Sequence, residues 1–321
     1  MKGKAILWSF ALIAMLCATV AGAQAWPNRP VRLIVPFGAG GNTDLAARIT
    51  AERLSTNLGR PFVVENRLGA SGTIAADHVL KSERDGYTFY VGSTVQMSVL
   101  PLFARLSFDP QKDFVPVAIM ATNPFVLGVH PSIPAKSLKE FVDYVRARPG
   151  KLNYGSGGVG TIGHLSGALL IARAGLQMTH VAYKSGPQGV SDLAGGQLQM
   201  YFGTATDIIP QMRAGKVTVL GVSSERRYRE IPDVPAIAET YPGFNLYNWN
   251  GLLAAAGTPH EIVERLAREV KAIMSEPEVG ARLLKIGLEP SGIVLSDFAE
   301  LVRREQPFWL EVVKAADIKP E

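Results

Sequence analysis

Val31-Arg32-Leu33-Ile34-Val35-Pro36-Phe37-Gly38-Ala39-Gly40-Gly41-Asn42-Thr43-Asp44 is an unbroken apolar run, then a glycine loop, then a helix start. A run with little alternation is the pattern of a strand covered on both faces, as in a parallel sheet. Glycine between strand and helix lets backbone N–H groups approach a ligand, and the helix dipole favours negative charge there. The arrangement recurs at Asn153-Tyr154-Gly155-Ser156-Gly157-Gly158-Val159-Gly160-Thr161, ahead of a helix predicted from Ile162 to Ala174. Two such loops, one in each half of the chain, predict an anion held between two lobes.

Working outward, strand and helix alternate in both halves. Asn42 or Thr43 is expected to cap a helix carrying Ala47, Ala51, Leu54 and Leu58 on one stripe, stopped by Gly59-Arg60-Pro61. Strands follow at Pro61–Glu65 and Tyr87–Gly92, with a second helix between them from the Gly69-Ala70-Ser71-Gly72 turn. Phe125–Val129 and Gly251–Ala256 are read as two crossings between lobes. Between them lie a capping box at Ser137-Leu138-Lys139-Glu140 and strands near 152–155, 180–183, 198–204 and 216–223. Thr258-Pro259-His260-Glu261 predicts an N-cap, a first-turn proline and a helix with Ile262, Val263, Leu266, Val270 and Ile273 inside; a later helix is expected to kink at Pro307. The predicted class is α/β, two lobes with largely parallel sheets. Lobe one is assigned residues 26–125 and 250–321, and lobe two residues 126–249.

The N-terminus reads as a secretory signal: Lys2 and Lys4, an apolar core from Ala5 to about Val20, and Ala23-Gln24-Ala25 before Trp26. The core is short for a membrane span, and Leu16 ahead of Cys17 does not suit lipoprotein processing. A mature N-terminus at Trp26 follows, with export to the periplasm. Cys17 is the single cysteine, so the mature chain contains no disulfide and no cysteine metal site. The formal charge of +5 falls to +3 once Lys2 and Lys4 are removed. Arg226-Arg227-Tyr228-Arg229 is too short a basic run to predict nucleic-acid binding, while a mild positive field suits a small anion.

Several chemistries are weighed against these loops. Gly155-Ser156-Gly157-Gly158-Val159-Gly160 fits G-x-G-x-x-G, yet the next strand ends Ala182-Tyr183-Lys184-Ser185 without the acidic residue a dinucleotide ribose needs. No serine sits in G-x-S-x-G, although Ser156, His164, Asp192 and Asp207 leave a triad open on inventory alone. His78, His130, His164, His180 and His260 show no paired spacing, so neither metal nor cofactor is predicted. His164 is expected to orient its loop or pack, and Asp44 to serve the helix dipole. For Trp249, cleft lining and core packing are both open.

In order, Pro36–Asp44, Val64-Glu65-Asn66-Arg67, Asp85-Gly86-Tyr87-Thr88, Asn153–Ser156, Gly160-Thr161, His164-Leu165, Ala214-Gly215-Lys216, Pro232-Asp233-Val234-Pro235 and Gly257-Thr258-Pro259 resemble the solute-binding proteins of tripartite tricarboxylate transporters, the Bug family. The resemblance covers nearly the whole mature chain. It implies a Venus-flytrap protein that catalyses nothing, closes on an organic acid and delivers it to membrane transporter subunits, or presents it to a sensor, as a monomer. It also implies ligand contacts from Phe37, Ala39, Gly40, Ser93 and Thr94 in lobe one, and from Ser156, Gly160, Thr161, Thr204 and Asp207 in lobe two. Many members carry Asp-Asn where this chain has Gly203-Thr204; the difference disfavours an amino-acid ligand and favours a di- or tricarboxylate or an aromatic carboxylate. A secreted hydrolase is the alternative of another class.

Overall fold

The computed structural model describes residues 26–318; the signal-peptide reading of residues 1–25 lies outside the described residues. The first half runs β1 (Val31–Val35), α1 (Asn42–Leu58), β2 (Phe62–Asn66), α2 (Thr73–Leu80), β3 (Thr88–Ser93) and β4 (Phe114–Val129). The second group is α3 (Leu138–Arg146), β5 (Asn153–Ser156), α4 (Ile162–Ala174), β6 (Thr179–Ala182), α5 (Gly186–Ala194), β7 (Met200–Thr204), α6 (Ala205–Arg213) and β8 (Thr218–Val222). The chain then returns through β9 (Tyr247–Ala255) to α7 (His260–Met274), α8 (Pro277–Leu284), β10 (Glu289–Pro290) and α9 (Leu295–Ala315). Among the described residues no helix is long and apolar enough to cross a membrane.

Strand order makes two lobes from one winding sheet, β2-β1-β3-β9-β4-β7-β5-β6. Strands β1, β2 and β3 pair in parallel, as do β5, β6 and β7. Strand β4 joins the lobes: Phe114–Pro124 pairs antiparallel with β9, and Phe125–Val129 pairs with β7 and β8. The sequence reading found only the second part of β4. Pro116 and Pro124 masked the first part, where the register shifts at Pro116/Ala118 and Ile119/Ala121.

Both faces of each lobe are covered. Leu33 and Val35 pack with α1 and α7, while Ile34 and Tyr90 face Trp249 and Phe298 on the other side. In lobe two, Leu127 and Phe202 face α3 and α4, and Val126 and Tyr201 face α5 and α6. The α7 stripe Ile262, Val263, Leu266, Val270 and Ile273 is buried as the 3.6 spacing predicts. Burial of each such side chain contributes ~1.5–3 kcal/mol against the cost of ordering the chain. Helix α9 passes continuously through Pro307, not broken by it, and links the lobes. Its Phe298 and Val302 belong to a lobe-one core, and its Trp309, Val312 and Val313 to a lobe-two core.

Three helix starts differ from their sequence reading. Gly41, without a side-chain cap, precedes α1; instead the Asp44 carboxylate accepts the Gly40 N–H at 2.9 Å. Before α7, Pro259 is itself the N-cap, because the Thr258 hydroxyl donates to the Ala255 carbonyl. At α3, Ser137 accepts from Glu140 N–H as expected, but the Glu140 carboxylate accepts from the Lys136 N–H, one residue before the cap.

Candidate functional site

Strands β1 and β3 of lobe one end at Val35 and Ser93, strands β5 and β7 of lobe two at Ser156 and Thr204, and the β4–β9 ribbon lies between the two sets in the sheet. Loops and helix starts therefore collect at the carboxyl strand ends of each lobe, the place where α/β sheets bind ligands. On the lobe-one side, residues 38–41 are exposed at the loop tip, while Thr43 and Asp44 are buried beneath it. Asp44 is 1% exposed and holds the loop from below. It accepts from the Gly40 N–H, from Arg48 through Nε and Nη2, and from Asn66 Nδ2, which also donates to the Phe37 carbonyl. Burial pushes its pKa up, but these donors outweigh burial and hold it below the ordinary carboxylate value. Asp44 sits in the first turn of α1, where it was expected to serve the helix dipole, and has its charge satisfied by these partners inside the lobe.

Ser93 ends β3, Thr94 follows it, and both are buried. Ser93 donates to Gln96 Oε1 at 2.6 Å, and Thr94 Oγ1 accepts the Trp249 N–H at 2.8 Å, tying β3 to the returning strand. Trp249 is wholly buried in an edge-on contact with Phe298, so its role is core packing.

On the lobe-two side, Ser156 is the hub of the second loop. Its hydroxyl contacts His180 Nε2 at 2.8 Å and the Gly158 carbonyl at 3.1 Å, and accepts the Gly158 N–H at 3.2 Å. The Gly160 N–H donates to His164 Nδ1 at 3.2 Å. Thr161 caps α4 by accepting the His164 N–H and donates to the Gly158 carbonyl at 2.8 Å. His164 orients the loop, as anticipated. The partner of Ser156 is His180, not His164, and Ser156 is completely buried. Burial and then the neighbouring His180 depress the His164 pKa to about 4.

Thr204 precedes α6 and donates to Asp207 Oδ2 at 2.8 Å. Burial raises the Asp207 pKa, and the Thr204 hydroxyl partly opposes the rise. Asp207 also lines a cavity of about 600 Å³ with Pro187, Val190, Gln211 and Lys216, between α5 and α6. That cavity belongs to lobe two alone and includes neither glycine loop. Of the ten residues expected to touch a ligand, Phe37, Ala39, Gly40, Ser93 and Thr94 lie at or after the carboxyl ends of β1 and β3, and Ser156, Gly160, Thr161, Thr204 and Asp207 at or after those of β5 and β7, with several of their polar groups engaged within their own loops.

The donors left over tell most about the cleft. Among the described residues no protein group accepts from the amides of Asn42, Thr43 and Asp44 at the start of α1, or of Ile162 and Gly163 at the start of α4. Helix dipoles add positive potential at both points. The sequence reading missed one more group. Asn123, Asn248 and Asn250 lie on the ribbon between the lobes, and Asn250 accepts from Thr43 Oγ1 at 2.6 Å. Their signal was Asn-Trp-Asn at 248–250, an alternation that puts both amides on one side of a strand. By contrast, Arg227 of the short basic run is committed to Glu239.

Comparisons with known proteins bear on the family and the fold. The model of the tripartite tricarboxylate transporter family receptor matches residues 46–318. A UPF0065 protein of Pseudomonas sp. strain P51 is 36% identical over 292 residues, 90% of this chain and 87% of that protein. The solved structure of R. palustris Rpa4515 with adipate is 38% identical, with a TM-score of 0.82, covering 92% of this chain and 100% of that one. MatC from Rhodopseudomonas palustris with bound malate is 33% identical, with a TM-score of 0.75, covering 90% of this chain and 100% of that one.

Proposed function

This chain belongs to the tripartite tricarboxylate transporter receptor family, and we propose that it is an exported receptor whose two lobes close on a small aliphatic dicarboxylate. The observation that carries the reading is a set of first-turn amides in each lobe, of α1 in lobe one and of α4 in lobe two, from which no protein group among the described residues accepts. Ligand carboxylates placed between them gain charge-assisted hydrogen bonds and two helix dipoles without a fixed cation. Relatives at 38% and 33% identity contain adipate and malate, both acids with a carboxylate at each end.

Phe37, Ala39, Gly40, Ser93 and Thr94 form the lobe-one wall in this reading, and Ser156, Gly160, Thr161, Thr204 and Asp207 the lobe-two wall. Residues 26–125 with 250–321, apart from Val99 and the end of α9 (Trp309, Val312 and Val313), which stay packed in the lobe-two core, move against 126–249 by small torsions in the ribbon, a hinge closure that leaves each core intact. No catalysis accompanies binding. Ser156 is buried and spends its hydroxyl on its own loop, which supports binding over hydrolysis. The partners are the membrane subunits of a tripartite transporter, and the mature chain begins at Trp26 in the periplasm.

Calorimetry against adipate, malate, citrate, benzoate and aspartate tests the reading. Tight binding of a dicarboxylate, with the acid recovered unchanged and the radius of gyration reduced, is the expected result. Binding of aspartate above all the others, or of none of the acids, refutes the dicarboxylate assignment. Mass spectrometry of the periplasmic form reads the N-terminus directly.

A further inference from the structure

The β4–β9 ribbon has two unlike faces. Trp249 points to one of them and packs on α9, while alternation sends Asn248 and Asn250 to the other, beside the start of α1. Asn123 is the register partner of Asn248, so three side-chain amides share that face. Asn248 Nδ2 lies 3.3 Å from Asn250 Oδ1 and 3.5 Å from Asn123 Oδ1. Asn250 Oδ1 therefore accepts from Thr43 on one side and Asn248 on the other, which fixes which way its amide is turned. Its Nδ2 is then left as a buried donor with no acceptor, on a side chain that is 0% exposed.

Such a group is costly unless something accepts from it. The neighbouring amides of Asn42, Thr43 and Asp44 lack acceptors too, so donors outnumber acceptors around Thr43. Unsatisfied donors at Asn250 Nδ2 and the start of α1 select a group that only accepts, and an ionised carboxylate is such a group. We propose that the Asn250 side-chain amide, held by Thr43 and Asn248, is a ligand-binding group on the floor of the cleft that receives one carboxylate of the bound di-acid. The proposal rests on the reading of the chain as a dicarboxylate receptor and adds the residue that fixes where one acid end sits. The floor lies where the lobes join, so a carboxylate on Asn250 is within reach of α1 while the other end of the acid extends toward α4.

Calorimetry with adipate and malate tests it on wild type, Asn250→Ala, Asn250→Asp and Asn248→Asp, with the unfolding temperature of each unliganded protein measured alongside. Asn250→Ala should weaken binding at least tenfold. Asn250→Asp, which sets a carboxylate against a carboxylate, should weaken it a hundredfold or more. The half-buried Asn248→Asp still decides the matter if Asn250 variants do not fold, and should lose tenfold or more. Wild-type affinity in a folded Asn250 variant, or in folded Asn248→Asp where neither Asn250 variant folds, even with a lowered unfolding temperature, overturns the proposal and makes the cluster a structural network. Absence of binding to every acid in the wild type refutes the receptor reading itself, a distinct outcome.

Discussion

His164 and His180 stack face to face, with ring centroids 4.0 Å apart, directly behind the second glycine loop. Each holds that loop by one bond: His164 through the Gly160 N–H, and His180 through the Ser156 hydroxyl. Both pKa values are depressed, chiefly by burial, and a second positive ring at this distance would add repulsion.

Stability should therefore fall on acidification through these rings. In the unfolded chain a histidine takes its proton near pH 6.5, whereas folded His164 resists until about 4. The unfolded state binds more protons in that window, so stability is fully present above pH 6.5 and is lost as pH falls toward 4. The His164 shift corresponds to roughly 3 kcal/mol. Urea titrations at pH 7.5, 6 and 5 should show the loss, and His164→Gln should flatten the slope. An unchanged slope in that variant would remove His164 as its source.

Glu305 on α9 is gripped by three donors, from Tyr247 and Trp249 on β9 and from Trp309 on α9 itself. Tyr247 Oη lies 2.8 Å from Oε1, with the indole nitrogens of Trp249 and Trp309 at 3.4 and 3.3 Å from Oε2. Glu305→Ala should lower stability by about 3 kcal/mol, since it strands all three donors. Glu305→Gln should cost less, keeping one acceptor but turning an NH₂ toward the tyrosine hydroxyl or the indoles. Guanidinium unfolding of the three proteins gives the order.

Asp44→Ala should damage both stability and binding. It leaves Arg48, the Gly40 N–H and Asn66 Nδ2 without their shared acceptor, costing about 2–3 kcal/mol. Because the Asp44 pKa is lowered, its contribution is present above the ordinary carboxylate value and is lost as pH falls through the folded value. Adipate affinity should drop at least fivefold as the loop loosens. Normal affinity at pH 7.5 in a folded Asp44→Ala would show that the loop holds its shape without this anchor.

Gly160→Ala should destabilise the second loop for two separate reasons. Its φ of +76° disfavours any side chain, and an added Cβ would lie 2.9 Å from Phe103 Cζ. Trimming the ring with Phe103→Leu should recover part of the loss but not the backbone component, expected near 1 kcal/mol. Full recovery in the double variant would mean that the ring contact alone matters.

Much of this protein was legible in its sequence because the signals were local. Apolar runs, glycine turns and 3.6-residue stripes placed β1, α1, α4 and α7 within a residue or two, and the ordered motifs pointed to the receptor family. Local patterns also marked both glycine loops. They did not tell how each loop spends its donors: that Gly160 gives its N–H to His164, or that Asp44 takes that of Gly40, depends on side-chain rotamers.

What the sequence by itself determined is the alternation of buried strand and amphipathic helix, since burial of a periodic apolar pattern is a property of the segment that carries it. What only the tertiary structure decided is the joining of distant segments. Thr43 meets Asn250 across 207 positions, and Ser156 meets His180 across a helix. Strand β4 passes both lobes with two prolines in it because bulged antiparallel pairing to β9 accommodates them. Such contacts are chosen by sheet order and register, which arise when separate segments find one shared core, and no single stretch of chain encodes them.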